Sequence, residues 1–369
     1  MQEISAQQAP ELLTDVMRAG LVPMIVSSPG IGKSSIAKQI AAERNLKVID
    51  LRLSQCDPSD LLGFPSISED KTKAGYVPMD TFPIAGDELP IMKDGDGNDR
   101  FKMIPNPDVK VGGEIKEFIR YSGWLLFLDE MNSAAKSVQA AAYKIVLDRQ
   151  VGTFDLHEKV AVMAAGNLST DKAIVTKLGT AMQSRMVHFQ LRDDFKSWME
   201  WASKSGIDYR ITSFLNFKPK ALFNFSPEHN DCTFACPRTW EFASKIIAPW
   251  KEIHFSKAPI IGGTIGEGMG REFLAFCQVF NSLPTIGQII NNPVGTPISE
   301  EPTVRYALTG MVSNHITKEN SDALMQFVTR LPVEFQIITL QAALRRDGSL
   351  LEPGSAFDQW VTDNAKRLM

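Results

Sequence analysis

Apolar residues fall into short runs separated by glycine-rich and polar turns over the first half of the chain, and into helical spacings over the second. Residues 24 to 27, 46 to 53, 124 to 128, 160 to 165 and 186 to 191 are the runs that read as strands. Two of them, 124 to 128 and 160 to 165, carry five or more apolar residues without alternation, as strands covered on both faces of a parallel sheet do, while 46 to 53 alternates. Between them lie helical spacings. Residues 8 to 19 place Leu12, Leu13, Val16 and Met17 on one face, Ile36 with Ile40 and Ala37 with Ala41 recur at i,i+4, and residues 134 to 147 turn Val138, Ala141, Ala142 and Ile145 inward. The pattern predicts an α/β fold, a five-stranded parallel sheet between helices over residues 1–192. Beyond it, strand signals fade into helices joined by Pro-rich loops over 193–369.

Four stretches interrupt this alternation. From about 66 to 116 the composition shifts to Gly, Pro, Asp and Lys, which predicts hairpins and loops inserted into the sheet domain. Inside it, residues 94 to 99 imitate the start of a calcium loop. The sixth position is Asp99 where glycine is needed and the twelfth is Pro105 where glutamate is needed, so a solvated hairpin tip is predicted. Residues 57 to 65 read as a short capped helix ended by Gly63, and residues 148 to 154 as a hairpin turn. Residues 262 to 270 carry five glycines with no strand before them, which predicts a flexible loop ahead of a helix over 272 to 280.

The chemistry concentrates where strands end. After the run at 24 to 27 comes Ser28-Pro29-Gly30-Ile31-Gly32-Lys33-Ser34-Ser35, and then an amphipathic helix: a strand, a glycine-bearing loop and a helix start. Gly30 and Gly32 can take positive φ without a Cβ clash, so backbone N–H groups can turn inward around a polyphosphate at the helix N-terminus. Lys33 would reach the β- and γ-phosphates and Ser34 would ligate Mg²⁺. Such loops open with glycine, and here the opening position is Ser27. Trp124-Leu-Leu-Phe-Leu ends in Asp129-Glu130, which would place Asp129 at the Mg²⁺ and Glu130 against the water that attacks the γ-phosphate. The same pair would also serve as the acidic opening of a helix.

Two further residues have two readings each. Asn167 ends the apolar run from Val160; it would position the γ-phosphate or the water, or supply turn chemistry with Gly166 ahead of Ser169. Its place at a strand end favours the first. Arg185 stands alone before the last apolar run, either a solvated charge or, in a ring, a finger reaching a neighbour's γ-phosphate. Arg238 follows Pro237 at a helix start, which would aim it from the first turn. His229, Cys232 and Cys236 have metal-like spacing but no fourth ligand, and a structural loop is the expectation.

Composition sets limits on all of this. With 44% hydrophobic and 22% charged residues, the chain is of ordinary globular type and neither disordered nor fibrous. Thirty-nine Lys and Arg against 43 Asp and Glu give a net charge of −4, which supplies no bulk attraction to nucleic acid. Four scattered cysteines make no disulfide framework and point to a reducing compartment. No apolar run has transmembrane length, and the first residues lack the order of a signal peptide, so a cytoplasmic protein is expected.

Taken in order, Ser27 to Ser34, Leu125 to Glu130, Asn167, Arg185 and Cys236-Pro237-Arg238 resemble the motif set of an AAA+ ATPase, most closely its MoxR-type branch found in bacteria and phages. The resemblance implies a P-loop sheet followed by a helical lid, with ATP and Mg²⁺ as cofactors. It implies Walker A at Ser27 to Ser34, Walker B ending at Asp129 and Glu130, sensor 1 at Asn167, an arginine finger at Arg185 and sensor 2 at Arg238. It further implies a homo-oligomeric ring, usually a hexamer, remodelling a protein client together with a partner that bears a von Willebrand factor type A domain. Two other functions share this ATPase core: a DNA-directed motor or helicase loader, with a basic pore loop around Lys102 or Lys110, and a nucleotide-gated scaffold with little turnover.

Overall fold

The computed structural model describes residues 1–105, 114–171, 176, 178–228 and 231–368. Two compact units divide the chain, Met1–Arg192 and Asp193–Met369.

In the first unit, the strands in chain order are β1 (Gln2–Ile4), β2 (Val22–Ser27), β3 (Leu46–Arg52), β4 (Phe64–Ile67), β5 (Ala74–Val77), β6 (Phe101–Pro105), β7 (Glu114–Phe118), β8 (Gly123–Asp129), β9 (Gln150–Val151), β10 (Phe154–Asp155), β11 (Val160–Asn167) and β12 (Met186–Leu191). Six of them pair in parallel as one sheet, in the spatial order β1, β12, β2, β11, β8, β3. The expected α/β architecture is present with one strand more than the pattern predicts. The extra strand, β1, is three residues at the sheet edge with only Ile4 buried, too short to carry a readable period.

Alternate residues of the central strands feed two separate cores. Ile25, Leu125, Phe127, Met163 and Ala165 pack against α1 (Ala9–Arg18) and α2 (Lys33–Glu43) on one face. Met24, Val26, Leu126, Leu128, Val162 and Ala164 pack on the other face, against α3 (Pro58–Leu62) and α4 (Lys136–Asp148). The residues predicted inward on α4 are all buried there. On α1 the prediction fails at Leu12, which is exposed; Ala9 and Leu13 are buried, and Val16 and Met17 are half-buried.

The insertion forms antiparallel pairs, β4 with β5 and β6 with β7. Helix α3 before it is closed by a capping box between Asp57 and Asp60 and stopped by Gly63 at φ 87°. The segment 94 to 99 is a solvated turn in which Asp94 accepts from the Asp96 and Asn98 N–H groups. Lys110 lies outside the described residues.

The chain then runs through α5 (Thr180–Gln183) into β12. The second unit is helical throughout its regular elements, from α6 (Phe195–Lys204), α7 (Tyr209–Phe217) and α8 (Pro237–Ile247) to α15 (Ala356–Leu368). The glycine-rich stretch 262 to 270 is a correction to the sequence reading. It lies within two helices, α9 (Ala258–Ile265) and α10 (Glu267–Gln278), joined at Gly266 with φ 91°. Two of the glycines serve packing: a Cβ at Gly270 would sit 2.9 Å from the Gly262 Cα, so the two helices meet backbone to backbone. Helix α10 accordingly starts five residues before the predicted position.

Candidate nucleotide site

Strand register decides which side chains can meet. Ser27 and Asn167 are parallel partners at the ends of β2 and β11, and Asp129 ends β8 on the other side of β11. Three adjacent parallel strands therefore stop at one edge, the edge where the loop into α2 begins. In parallel α/β sheets, ligands bind outside this carboxyl edge, beside the point where strand order reverses.

The loop itself has the backbone that a phosphate cradle needs. Gly30 takes φ 79° and Gly32 φ 111°, both left-handed. Gly32 is the N-cap of α2, which has no side-chain cap and no acidic residue in its first turn, so the positive end of the helix is not neutralised locally. Ser28 is buried, Pro29 and Ile31 are half-buried and Ser35 is exposed. Ser27, standing where a glycine usually opens such loops, is fully buried. Its hydroxyl donates to the Ser28 carbonyl at 2.9 Å.

Lys33 leads back across the loop. Its ammonium donates to the Ser27 carbonyl at 3.2 Å, the Ser27 hydroxyl at 3.1 Å and Asn167 Oδ1 at 3.1 Å. Ser34, one residue on, donates its hydroxyl to Asp129 Oδ2 at 3.2 Å. A hydroxyl and a buried carboxylate in contact form an oxygen donor set suited to Mg²⁺, a hard cation that binds through one or two carboxylates plus substrate phosphates. The residues present thus fit a magnesium nucleotide. Among the described residues, no group of three His, Cys, Asp or Glu side chains converges to hold a metal by itself.

Glu130 follows in a left-handed conformation, φ 56°, unusual for a residue with a Cβ. That turn ends β8 and starts the 3₁₀ turn Met131–Ser133, which packs on the end of β11. The Glu130 carboxylate accepts from the Ser54 hydroxyl just beyond β3. Within the turn, Asn132 makes a reciprocal pair with the backbone of Asn167: its Nδ2 donates to the Asn167 carbonyl at 2.7 Å, and the Asn167 N–H donates to its Oδ1 at 2.9 Å. Next to the site, the part of Asp50 that the sheet closes off from water, followed by the Asp129 charge, pushes the Asp50 carboxyl above its ordinary range. Arg52 and Lys38 pull it back.

Ser54 and Asn132 were not among the predicted site residues, and for Ser27 the prediction covers its place at the opening of the loop but not its hydroxyl. For Asn132 a signal existed in Gly166, read as turn chemistry. Its φ is not left-handed; a Cβ there would lie 2.4 Å from Asn132 Oδ1, so the glycine makes room for that side chain.

Arg185 is not drawn into this network. Arg185 is exposed after α5, donates to the Ala181 carbonyl at 3.0 Å and lies 6.0 Å from the Tyr143 ring. Arg238 is exposed in the first turn of α8 in the second unit, where Pro237 occupies the first helical position. Cys236 is the buried N-cap of that helix, bonded through its N–H to Thr239 Oγ1 at 2.8 Å. Cys232 is exposed, and His229 lies outside the described residues.

No family model and no curated protein matches the chain. Among solved structures it is similar to a Cytophaga hutchinsonii protein described as a candidate ATPase, at 14% identity over 98% of this chain and 88% of that one, with a TM-score of 0.33. It is also similar to a mutant of Thermotoga maritima RuvB, at 13% identity over 97% and 86%, with a TM-score of 0.31. Overlaps this low carry no weight for activity, and the strand order and site geometry stand on their own.

Proposed function

We propose that this chain is a Mg-ATP-binding and hydrolysing AAA+ ATPase. The observation that carries the reading is the meeting of Lys33, Asn167, Ser34 and Asp129 at the ends of three neighbouring parallel strands, beside an uncapped helix N-terminus. In this reading the loop N–H groups from Gly30 to Ser34 and the Lys33 ammonium bind the phosphates, and Ser34 and Asp129 hold Mg²⁺. Bound Mg²⁺ supplies charge neutralisation on the phosphate oxygens. Glu130 accepts the proton of the attacking water, while Ser54 donates to one of its two carboxylate oxygens, Oε2. Asn167 orients the water or the γ-phosphate.

The ring follows from the same motif order. Arg185, exposed and outside the network of its own subunit, is available to a neighbour's nucleotide, and Arg238 is the sensor of the helical unit. A hexamer of the MoxR type that remodels protein clients, with a von Willebrand factor type A partner, is the role we assign, on the motif resemblance. The DNA-motor alternative is less favoured, because a net charge of −4 supplies no bulk attraction to nucleic acid. No described helix is long and apolar enough to cross a membrane.

The test is nucleotide binding and turnover in two variants. Lys33→Ala is expected to weaken ATP binding about 10- to 100-fold, the worth of a lost hydrogen bond to a charged group. Glu130→Gln is expected to bind ATP as the parent does while turnover falls by about 10²–10⁴, the share of a general base. Unchanged affinity in Lys33→Ala would overturn the reading, and binding without turnover in the parent would make the chain a nucleotide-gated scaffold.

A further inference from the structure

We infer that Asn132 is a positioning residue for hydrolysis, acting through Asn167; the inference rests on the ATPase reading. Asn167 has two jobs at once. Its side-chain Oδ1 receives Lys33 from the phosphate loop, and its peptide ends β11. Asn167 is in register with Ser27 of β2, but the pairing of β11 with β8 stops at Ala164, so on that side something else must hold its N–H and carbonyl, or the side chain it carries swings with them. Asn132 does this from the adjacent strand end. One amide satisfies both backbone groups of Asn167, donating to the carbonyl at 2.7 Å and accepting from the N–H at 2.9 Å.

The clasp is itself well held. Asn132 is 8% exposed. Its own carbonyl accepts from the Thr176 N–H at 2.7 Å, and Gly166 leaves the space that its Oδ1 fills. The next residue, Ser133, places its hydroxyl 3.4 Å from Asn167 Nδ2. The left-handed turn at Glu130 brings both residues back over β11. The proposed base and the clasp are therefore two consecutive outputs of one turn, so that the base on β8 and the amide on β11 are set against each other by covalent connection and a two-point hydrogen bond. Only an amide can do this. Aspartate keeps the acceptor but turns the donor into a second oxygen facing the Asn167 carbonyl, at nearly unchanged volume.

The experiment compares the parent, Asn132→Asp, Asn167→Ala and the double variant, measuring ATP affinity and kcat separately. Asn132→Asp is expected to hold ATP within about threefold of the parent while kcat falls about 10- to 100-fold, the cost of a displaced positioning group. In the Asn167→Ala background the same substitution is expected to cost nothing further, because its only route to the chemistry is gone. Unchanged kcat, multiplying losses in the double variant, or affinity falling in step with kcat would each overturn the proposal. Should Asn132→Asp fail to fold, Asn132→Ser, uncharged and able to reach one backbone group at a time, is read by the same criteria. A parent that binds ATP without turnover overturns the catalytic reading and this inference together, whereas an active parent with an indifferent Asn132→Asp overturns only the inference.

Discussion

At the scale of single residues, Asp50 offers a reporter for the metal site. Its carboxyl is raised by partial burial and by the negative charge of Asp129, which is held in turn by the Ser34 hydroxyl. A cation placed on Asp129 offsets that charge, so Mg²⁺ added without nucleotide is expected to lower the Asp50 midpoint toward the ordinary carboxylate range, read by carboxyl NMR during an acid titration. The same shift has a sign for stability. A carboxyl whose folded pKa lies above its unfolded value contributes most when both states are protonated, and that contribution is lost as pH rises through the folded midpoint. Asp50→Asn should therefore melt higher than the parent at neutral pH, with the difference disappearing below pH 3.8. An equal difference at all pH values would show that packing, and not the charge, is responsible.

Elements of the helical unit meet through deleted side chains, and this is testable where the approach is closest. Helix α12 (Pro302–His315) crosses α7 at Gly310, where a Cβ would lie 1.6 Å from Ser213 Oγ. Ser213 is almost fully buried and its hydroxyl donates to the Tyr209 carbonyl at 2.6 Å, so turning aside would break that bond. Gly310→Ala is expected to destabilise the protein by about 1–3 kcal/mol, as overpacking does. Adding Ser213→Gly opens the space and should recover most of that loss, less about 1 kcal/mol for a glycine in a helix interior. Chemical denaturation of the single and double variants measures both. Equal loss in the two would mean that the helices part in response and that the close approach is not enforced.

For the molecule as a whole, each unit has its own apolar core. The sheet unit buries two clusters against its opposite faces, and the helical unit buries two more around Phe214, Trp240 and Phe273 and around Phe327, Phe357 and Trp360. The proposed assembly adds a level above this, in which one subunit's nucleotide is completed by the Arg185 of the next. Mixing Arg185→Ala with Lys33→Ala subunits tests it. Each is expected to be inactive alone, while an equal mixture restores about a quarter of the sites, those with an intact loop beside a neighbour with an intact finger. No recovery in a mixture shown to co-assemble would remove the finger from Arg185.

What could be read without a structure was local. Long apolar runs specify buried strands whatever their neighbours, and Gly30, Gly32 and Lys33 declare a cradle within eight residues of chain because backbone freedom and a helix start are short-range properties. The edge strand β1 was too short to show a period, and the glycines at 262 and 270 looked like flexibility because nothing nearby says that two backbones will touch. The site's wiring was out of reach for the same reason. Lys33 meets Asn167 across 134 positions, Ser34 meets Asp129 across 95, Ser54 meets Glu130 across 76 and Asn132 meets Asn167 across 35. A hydrogen-bonding side chain advertises its capacity in the sequence but not its partner. Only the order in which parallel strands are laid side by side brought these partners to one edge.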